Sequence, residues 1–483
     1  MEAGILAAVL GLYAALVIGV GIVATRGSAS SPEDYFLAGR KLGTLVLFMA
    51  LFGTNATSFV LVGIPGRAYH DGIGVFSVNA PIVALFTPLT FYLLGAPARR
   101  MARNLRAVTP AELYARRFAS PAVGMLLFAF FVAYTLPYMV VAVKGAAVTL
   151  ENVTDGAVPF WAGAAGVIAI ALLYTTLGGM RATAWTNVLQ GTIFLVFIVL
   201  AFVLISRSMG GLGTAMETVR QHDDSLLRLE REGLFEPRQW ISWSLTISLT
   251  VIAFPHMFVR IMAAGSEAAL RRVCMIYPIA LLLLWLPPVM IGVWGATEFP
   301  GLIGKESDEI YALMLTKHLP AFLSAVGFLA VLAAVMSTLD AQILTLGSML
   351  TRDVLDRLRG TTEESGTIAH ARWFGLAVAA TVFVLSLAWG QSVFQIASVA
   401  FSGYVTLTPA LYLGVTWKKF NKAGAMASIL VGNAVLYLGL AGWIPTFGFL
   451  PVLPAWIAAI ATALIVPRYT KPTPVAIRMS AFR

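Results

Sequence analysis

Apolar stretches of about twenty residues recur along the whole chain, and that regularity decides what it can fold into, because each is long enough to cross a bilayer as a helix. Their approximate limits are 4–25, 43–65, 74–97, 121–148, 157–177, 183–206, 240–262, 273–296, 319–350, 369–389, 392–416, 423–442 and 448–467. Backbone polar groups find no water in hydrocarbon, so each stretch must satisfy its own N–H and C=O groups as a helix. The expectation is an all-α polytopic membrane protein with about thirteen spans, numbered here in chain order. Only 12% of the 483 residues are charged, against roughly 25% in a soluble domain.

The charges that remain are ordered. Alternate connections carry Arg26, Arg40 and Lys41; Arg99, Arg100, Arg103, Arg106, Arg116 and Arg117; Arg181; Arg271 and Arg272; Arg352, Arg357 and Arg359; and Lys418, Lys419 and Lys422. By the positive-inside rule the N-terminus lies outside and the C-terminal tail inside, in a multi-pass plasma (inner) membrane protein. The net charge of +10 follows from those loops and needs no nucleic-acid partner. A single cysteine, Cys274, leaves no intramolecular disulfide. Only Met1, Glu2 and Ala3 precede the first stretch, so it reads as a retained helix, since a secretory signal has a basic start and a shorter apolar core. The polar segment 208–238 is expected outside, with Gln221–Glu232 as a short charged surface helix over the mouth.

Span 9 is the unusual one. Phe328–Ile343 is apolar enough to cross the membrane yet carries Ser337, Thr338, Asp340 and Gln342. In a helix Ala334, Ser337 and Thr338 share one face, and Asp340 lies one turn above Ser337. A carboxylate at that depth must face a partner, a cation or water. Oxygen ligands at this spacing suit a small hard cation, although hydroxyls in membrane helices also bond back to their own carbonyls.

Two spans are interrupted near their middles. Span 2 contains Gly53-Thr-Asn-Ala-Thr-Ser58 and span 7 contains Ala253-Phe-Pro-His256. They stand five spans apart, in corresponding places of two five-helix halves with opposite orientation. That is the pattern of an inverted-repeat transporter, whose broken helices expose carbonyls and half-helix ends at a midplane site. The expected division is 1–42 for an extra N-terminal helix and linker, 43–206 for the first half and 207–238 for the external loop. The second half is 239–416, and 417–483 holds two C-terminal helices and the tail.

These residues resemble the sodium/solute symporter family along nearly the whole chain. The resemblance is carried by Asp34-Tyr-Phe-Leu-Ala-Gly-Arg40, Gly63-Ile-Pro-Gly-Arg-Ala-Tyr69, Tyr174-Thr-Thr-Leu-Gly-Gly179 with Trp185-Thr-Asn-Val-Leu-Gln190, and Ala333-Ala-Val-Met-Ser-Thr338. Within it, Phe254-Pro-His-Met-Phe-Val-Arg260 is similar to the monocarboxylate and pantothenate branch. The resemblance implies a LeuT-type 5+5 inverted repeat and a co-transported sodium ion. That ion would sit between the carbonyls of Gly53, Ala56 and Ala334 and the hydroxyls of Ser337 and Thr338. Two positions depart from the family pattern: Asn187 stands where many relatives have Asp, and Asp340 where a small polar residue is usual. Asp340 is therefore counted with the cation ligands, as though the charge had moved to a facing helix.

Lys144 in span 4 has three readings: snorkelling to an interface, pairing with Asp340, or holding a substrate carboxylate. His256 follows the span 7 break, where it would hydrogen-bond substrate or carry a proton. Thr54 and Asn55 at the span 2 break join it as expected substrate contacts. Phe52, Phe59, Tyr134, Tyr138, Phe254, Phe401 and Tyr404 are candidate pocket walls, of which only a part should serve. Together these features predict a sodium symporter importing a small organic anion by alternating access, and not an enzyme, since nucleophile–base sets and clustered metal ligands are missing. The alternatives are a proton-coupled transporter using Asp340 or His256, and a transporter-like sensor. Isolated polar patches argue against a channel, which needs a continuous polar pore.

Overall fold

The computed structural model describes residues 3–25, 31–229, 235–355 and 364–482; Arg26, Arg357, Arg359 and residues 230–232 lie outside them. Among the described residues, ten helices are long and apolar enough to cross a membrane, and two bent pairs bring the number to as many as twelve. A shorter apolar helix, Phe160–Leu173, falls in the stretch read as span 5. It runs on into span 6 through a kink at Gly179, whose φ of +57° is open to glycine and strained for other residues. The carbonyl of Tyr35 also lies where a Cβ would stand there.

Both bends fall on the interrupted stretches. Thr44–Asn55 and Phe59–Asp71 meet at 50°, as do Pro237–Ala253 and Pro255–Met262. The first break is centred on Ala56, whose backbone is extended; beyond it a π-turn, Phe59–Gly63, precedes Pro65, which cannot supply the N–H a regular turn would use. The second break is Phe254, extended immediately before Pro255.

Span 9 occupies the centre. It is buried without interruption from Gly327 to Met349, as a helix packed on every face is, its polar residues Ser337, Thr338, Asp340 and Gln342 included. Spans 4, 6 and 10 and the first half of span 2 pack around it, while the N-terminal helix Ala3–Thr25 lies against spans 6 and 9. Gly145 of span 4 lets the span 2 break approach closely, since a Cβ there would overlap Ser58; Ser58 Oγ donates to Val141 O at 2.7 Å.

The arginines of the basic connections cap helix ends. Arg99 donates to the carbonyls of Ala264 and Gly265 at 2.8 and 2.9 Å, just past span 7. Arg40 reaches Ala107 O at 2.6 Å, and Arg117 reaches Gly414 O at 3.0 Å at the end of span 11. Cations complete the unpaired carbonyls of a helix C-terminus and oppose its dipole. The expected surface helix starts earlier than its charge run suggested: it spans Leu212–Asp223 and gives way to a 3-10 turn, Asp224–Leu227. Leu226 O accepts from Ile73 N at 2.8 Å, tying that segment to the connection after span 2. The backbone pairing wins over continued helix at that point.

Candidate cation and substrate site

The span 2 break exposes the last carbonyls of Thr44–Asn55, which have no partner within the helix and carry its negative dipole end. Span 9 presents its hydroxyls to them. Ser337 Oγ lies 2.7 Å from both Gly53 O and Ala334 O. Thr338 Oγ1 lies 3.0 Å from Thr54 O and 3.2 Å from Ala334 O. Five neutral oxygens thus converge, from Gly53, Thr54, Ala334, Ser337 and Thr338. Each hydroxyl has one proton and two lone pairs, so rotation turns both oxygens toward a cation placed between the helices. Thr54 is the residue whose carbonyl meets Thr338; Ala56, expected in that role, is buried at the centre of the break.

Asp340 is fully buried, and the cation beside it is an arginine of span 7 rather than Lys144. Arg260, from the last turns of span 7, brings Nη2 to 3.6 Å from Asp340 Oδ1, and both side chains are at most 1% exposed. Arg260 Nη1 also donates to Thr54 Oγ1. With its amide assigned so that oxygen and nitrogen are both paired, Asn187 accepts from Arg260 Nη2 at 2.6 Å, and its nitrogen donates to Gln190 Oε1 and Thr183 O. Asn187 thus accepts from the same guanidinium that faces Asp340.

Of the three readings of Lys144, the pairing with Asp340 and the place beside substrate are corrected, and the outward reach from the end of span 4 agrees with the structure. The Lys144 ammonium donates to Gln391 O and, at 3.4 Å, to Trp389 O, both between the end of span 10 and the start of span 11; it neither pairs with Asp340 nor lines the cavity. Its place near the end of span 4 puts it on the connection between spans 10 and 11 instead. The acidic group nearby is Asp308, buried in the connection before span 9, whose Oδ2 accepts from Val393 N at 2.9 Å. Burial pushes the Asp308 carboxyl up to about 6, against the lowering effects of the Val393 N–H and the Lys144 charge.

Beside the clasp lies a small cavity of about 20 Å3, lined by Asn55, Phe59, Tyr138, Thr250, Phe254 and Phe401 with Trp285. That is room for about one water. Its walls close on themselves: the Phe59 and Phe401 rings are 5.0 Å apart, Tyr138 and Phe254 4.9 Å, and Tyr138 and Phe401 5.2 Å. Tyr404 stands behind Phe254, with ring centroids 4.9 Å apart. Its hydroxyl is 2.6 Å from Thr135 Oγ1, so Tyr404 supports the wall. Phe52 stacks on Phe194, and the Tyr134 hydroxyl bonds Asn433, so both pack elsewhere. His256 is buried beside Phe254 and Tyr138, and neither ring nitrogen has a hydrogen-bond partner among the described residues.

Sequence reasoning missed Arg260, Trp285 and Thr250. An arginine inside an apolar span was a signal for the first. Trp285 and Thr250 looked like ordinary span residues.

Two helices broken at matching places, around a hydroxyl-bearing central span, define a secondary transporter of the LeuT-type fold. A solved structure described as the substrate-bound outward-open state of a Na+-coupled sialic acid symporter superposes with a TM-score of 0.81 at 17% identity, covering 97% of this chain and 99% of that one. The chain belongs to the sodium:solute symporter family, whose model matches residues 35–432. It is 28% identical over 477 residues to the sodium/pantothenate symporter of Escherichia coli, covering 96% of each chain. It is also 25% identical to the sodium/proline symporter of the same organism, with 89% and 87% covered. It is thus a sodium-coupled solute symporter and not an enzyme, and sodium is co-transported cargo.

Proposed function

We propose that this chain imports a small organic acid, of the size and charge of pantothenate or a short monocarboxylate, together with sodium across the plasma membrane by alternating access. Thirteen spans, an outer N-terminus and the five-part division of the sequence complete this reading.

The observation that carries it is the pairing of Ser337 and Thr338 with the Gly53 and Thr54 carbonyls. Sodium would bridge the two half-bundles there, at the carbonyl end of Thr44–Asn55, through Gly53, Thr54, Ala334, Ser337 and Thr338, with Ala56 one turn away. Across the cavity the first turn of Pro255–Met262 offers free N–H groups and positive dipole. A carboxylate seated there would accept from them and from His256, with Asn55 and Thr250 for further polar contacts and the rings of Phe59, Tyr138, Phe254 and Phe401 around the apolar part. Cation and anion would then lie at opposite helix ends a short distance apart, so each favours binding of the other. A substrate larger than one water requires these rings to part, which fits a site that opens alternately to the two sides.

Sodium coupling of the family removes the need for a proton carrier at Asp340. The relatives named for pantothenate and for proline frame the substrate question. Counterflow in proteoliposomes loaded with labelled pantothenate, lactate, propionate or proline, with and without sodium, decides it. Sodium-dependent exchange of an organic acid is expected; exchange of proline alone would overturn the organic-acid reading.

A further inference from the structure

The Arg260 side chain has no part in the proposed clasp, yet it stands against it. Four helices meet at its guanidinium. Thr54 Oγ1 comes from span 2, Asn187 Oδ1 at 2.6 Å from span 6, and Asp340 Oδ1 at 3.6 Å from span 9, while Arg260 itself belongs to span 7. The polar chain continues outward: Asn187 donates to Gln190 Oε1 at 3.0 Å, and Gln190 Nε2 donates to Tyr13 OH, also at 3.0 Å, on the N-terminal helix. All of these residues are buried.

Two features define the chemistry of this place. Three hard oxygens, one of them a carboxylate, surround a positive charge, which is the environment of a small cation. The carboxylate is one helical turn from Ser337, and the Thr54 that touches the guanidinium also gives its carbonyl to Thr338. A charge change at Asp340 or Arg260 is therefore felt at the clasp through low-dielectric surroundings. We propose that the Arg260 guanidinium is a resident cation, permanently filling an oxygen site beside the sodium clasp, so that Asp340 is neutralised from within and sodium binds at one position. This rests on the clasp as the sodium site. It makes Arg260 and Asp340 positioning residues of opposite sign: the arginine weakens sodium binding and the aspartate strengthens it.

The signs distinguish this role from a structural ion pair, whose two halves would fail alike. The readout is thermal stabilisation of the purified full-length protein by sodium, titrated against choline at constant ionic strength, which requires no knowledge of the substrate. Arg260→Met should lower the half-saturating sodium concentration by roughly tenfold or more, the effect of removing a unit charge that contacts a residue of the clasp in partly polar surroundings, and should steepen the titration as sodium enters the vacated oxygens. Asp340→Asn should raise it by a similar factor, and the double variant should return close to wild type. Where Arg260→Met does not fold, Asn187→Asp substitutes for it, adding a carboxylate without removing the cation, and must also lower the half-saturating concentration. Shifts of the same sign for Arg260→Met and Asp340→Asn, or none for the folded variants, overturn the proposal. A response in Arg260→Met with none in wild type would instead keep the resident cation and overturn the clasp.

Discussion

Asp308 gives a prediction whose size follows from the structure. The side chain is only 3% exposed, caps the start of span 11 through Val393 N, and lies near the Lys144 ammonium. Its carboxyl is pushed from 3.8 to about 6, chiefly by burial. A raised carboxyl favours the protonated folded form, so its stabilising contribution is complete below about 3.8 and is lost as pH rises through about 6. The shift of roughly 2 units corresponds to at most about 3 kcal/mol at neutral pH. Asp308→Asn keeps an acceptor for Val393 N without the charge. The variant should gain roughly 1–3 kcal/mol relative to wild type between pH 4 and pH 7.5, seen as a melting-temperature difference that widens with pH in the purified protein. Since the same buried cap joins the connection before span 9 to the start of span 11, opening of this end should grow easier over the same interval. Melting curves that stay parallel across that range would refute the reasoning.

Further outcomes follow from packing and from the basic helix caps. Gly145→Ala would push a methyl into Ser58 and should cost roughly 1–3 kcal/mol, measured as lost thermal stability with slower transport, because the span 2 break is displaced. Arg117→Ala removes a buried guanidinium that reaches the carbonyls of Gly414, Trp417, Lys418 and Phe420; a loss of about 3 kcal/mol is expected, and Arg117→Lys should not restore it, since an ammonium cannot span four acceptors. Trp285→Ala enlarges a cavity of about 20 Å3 and should shift counterflow preference toward bulkier acids while leaving the half-saturating sodium concentration unchanged.

Much of the arrangement was legible in the sequence because it follows from local rules. A Pro or a run of small polar residues marks a candidate break in an apolar stretch, although Pro137, Pro287 and Pro409 stand inside continuous helices, and the spacing of Ala334, Ser337 and Thr338 puts them on one face of any helix. The partner of Asp340 was not legible. Arg260 is 80 residues away in sequence (340 − 260), and an arginine within an apolar span signals a functional site without telling which other span it faces. Its place beside Asp340 comes from how the second half of span 7 packs against span 9. Lys144 shows the converse: a lysine and an aspartate within spans suggested a pair, but height along the bundle separates them. Asn187 marked a departure from the family's residue without revealing that its oxygen still faces a cation. The cavity walls shared the limits of all aromatic patterns, and contacts between spans 2, 4, 7 and 11 decided which rings meet.

The clasp itself is tested most directly by sodium binding to the purified protein, measured with radioactive sodium. Wild type should bind saturably, and Ser337→Ala with Thr338→Ala should weaken binding by roughly 1–3 kcal/mol per lost hydroxyl, a loss separate from the lower melting temperature in sodium-free buffer that follows from leaving the Gly53 and Thr54 carbonyls unpaired. A double variant that binds sodium as well as wild type would show that these hydroxyls only bond back to their own helix, and the account of coupling at the span 2 break would fall.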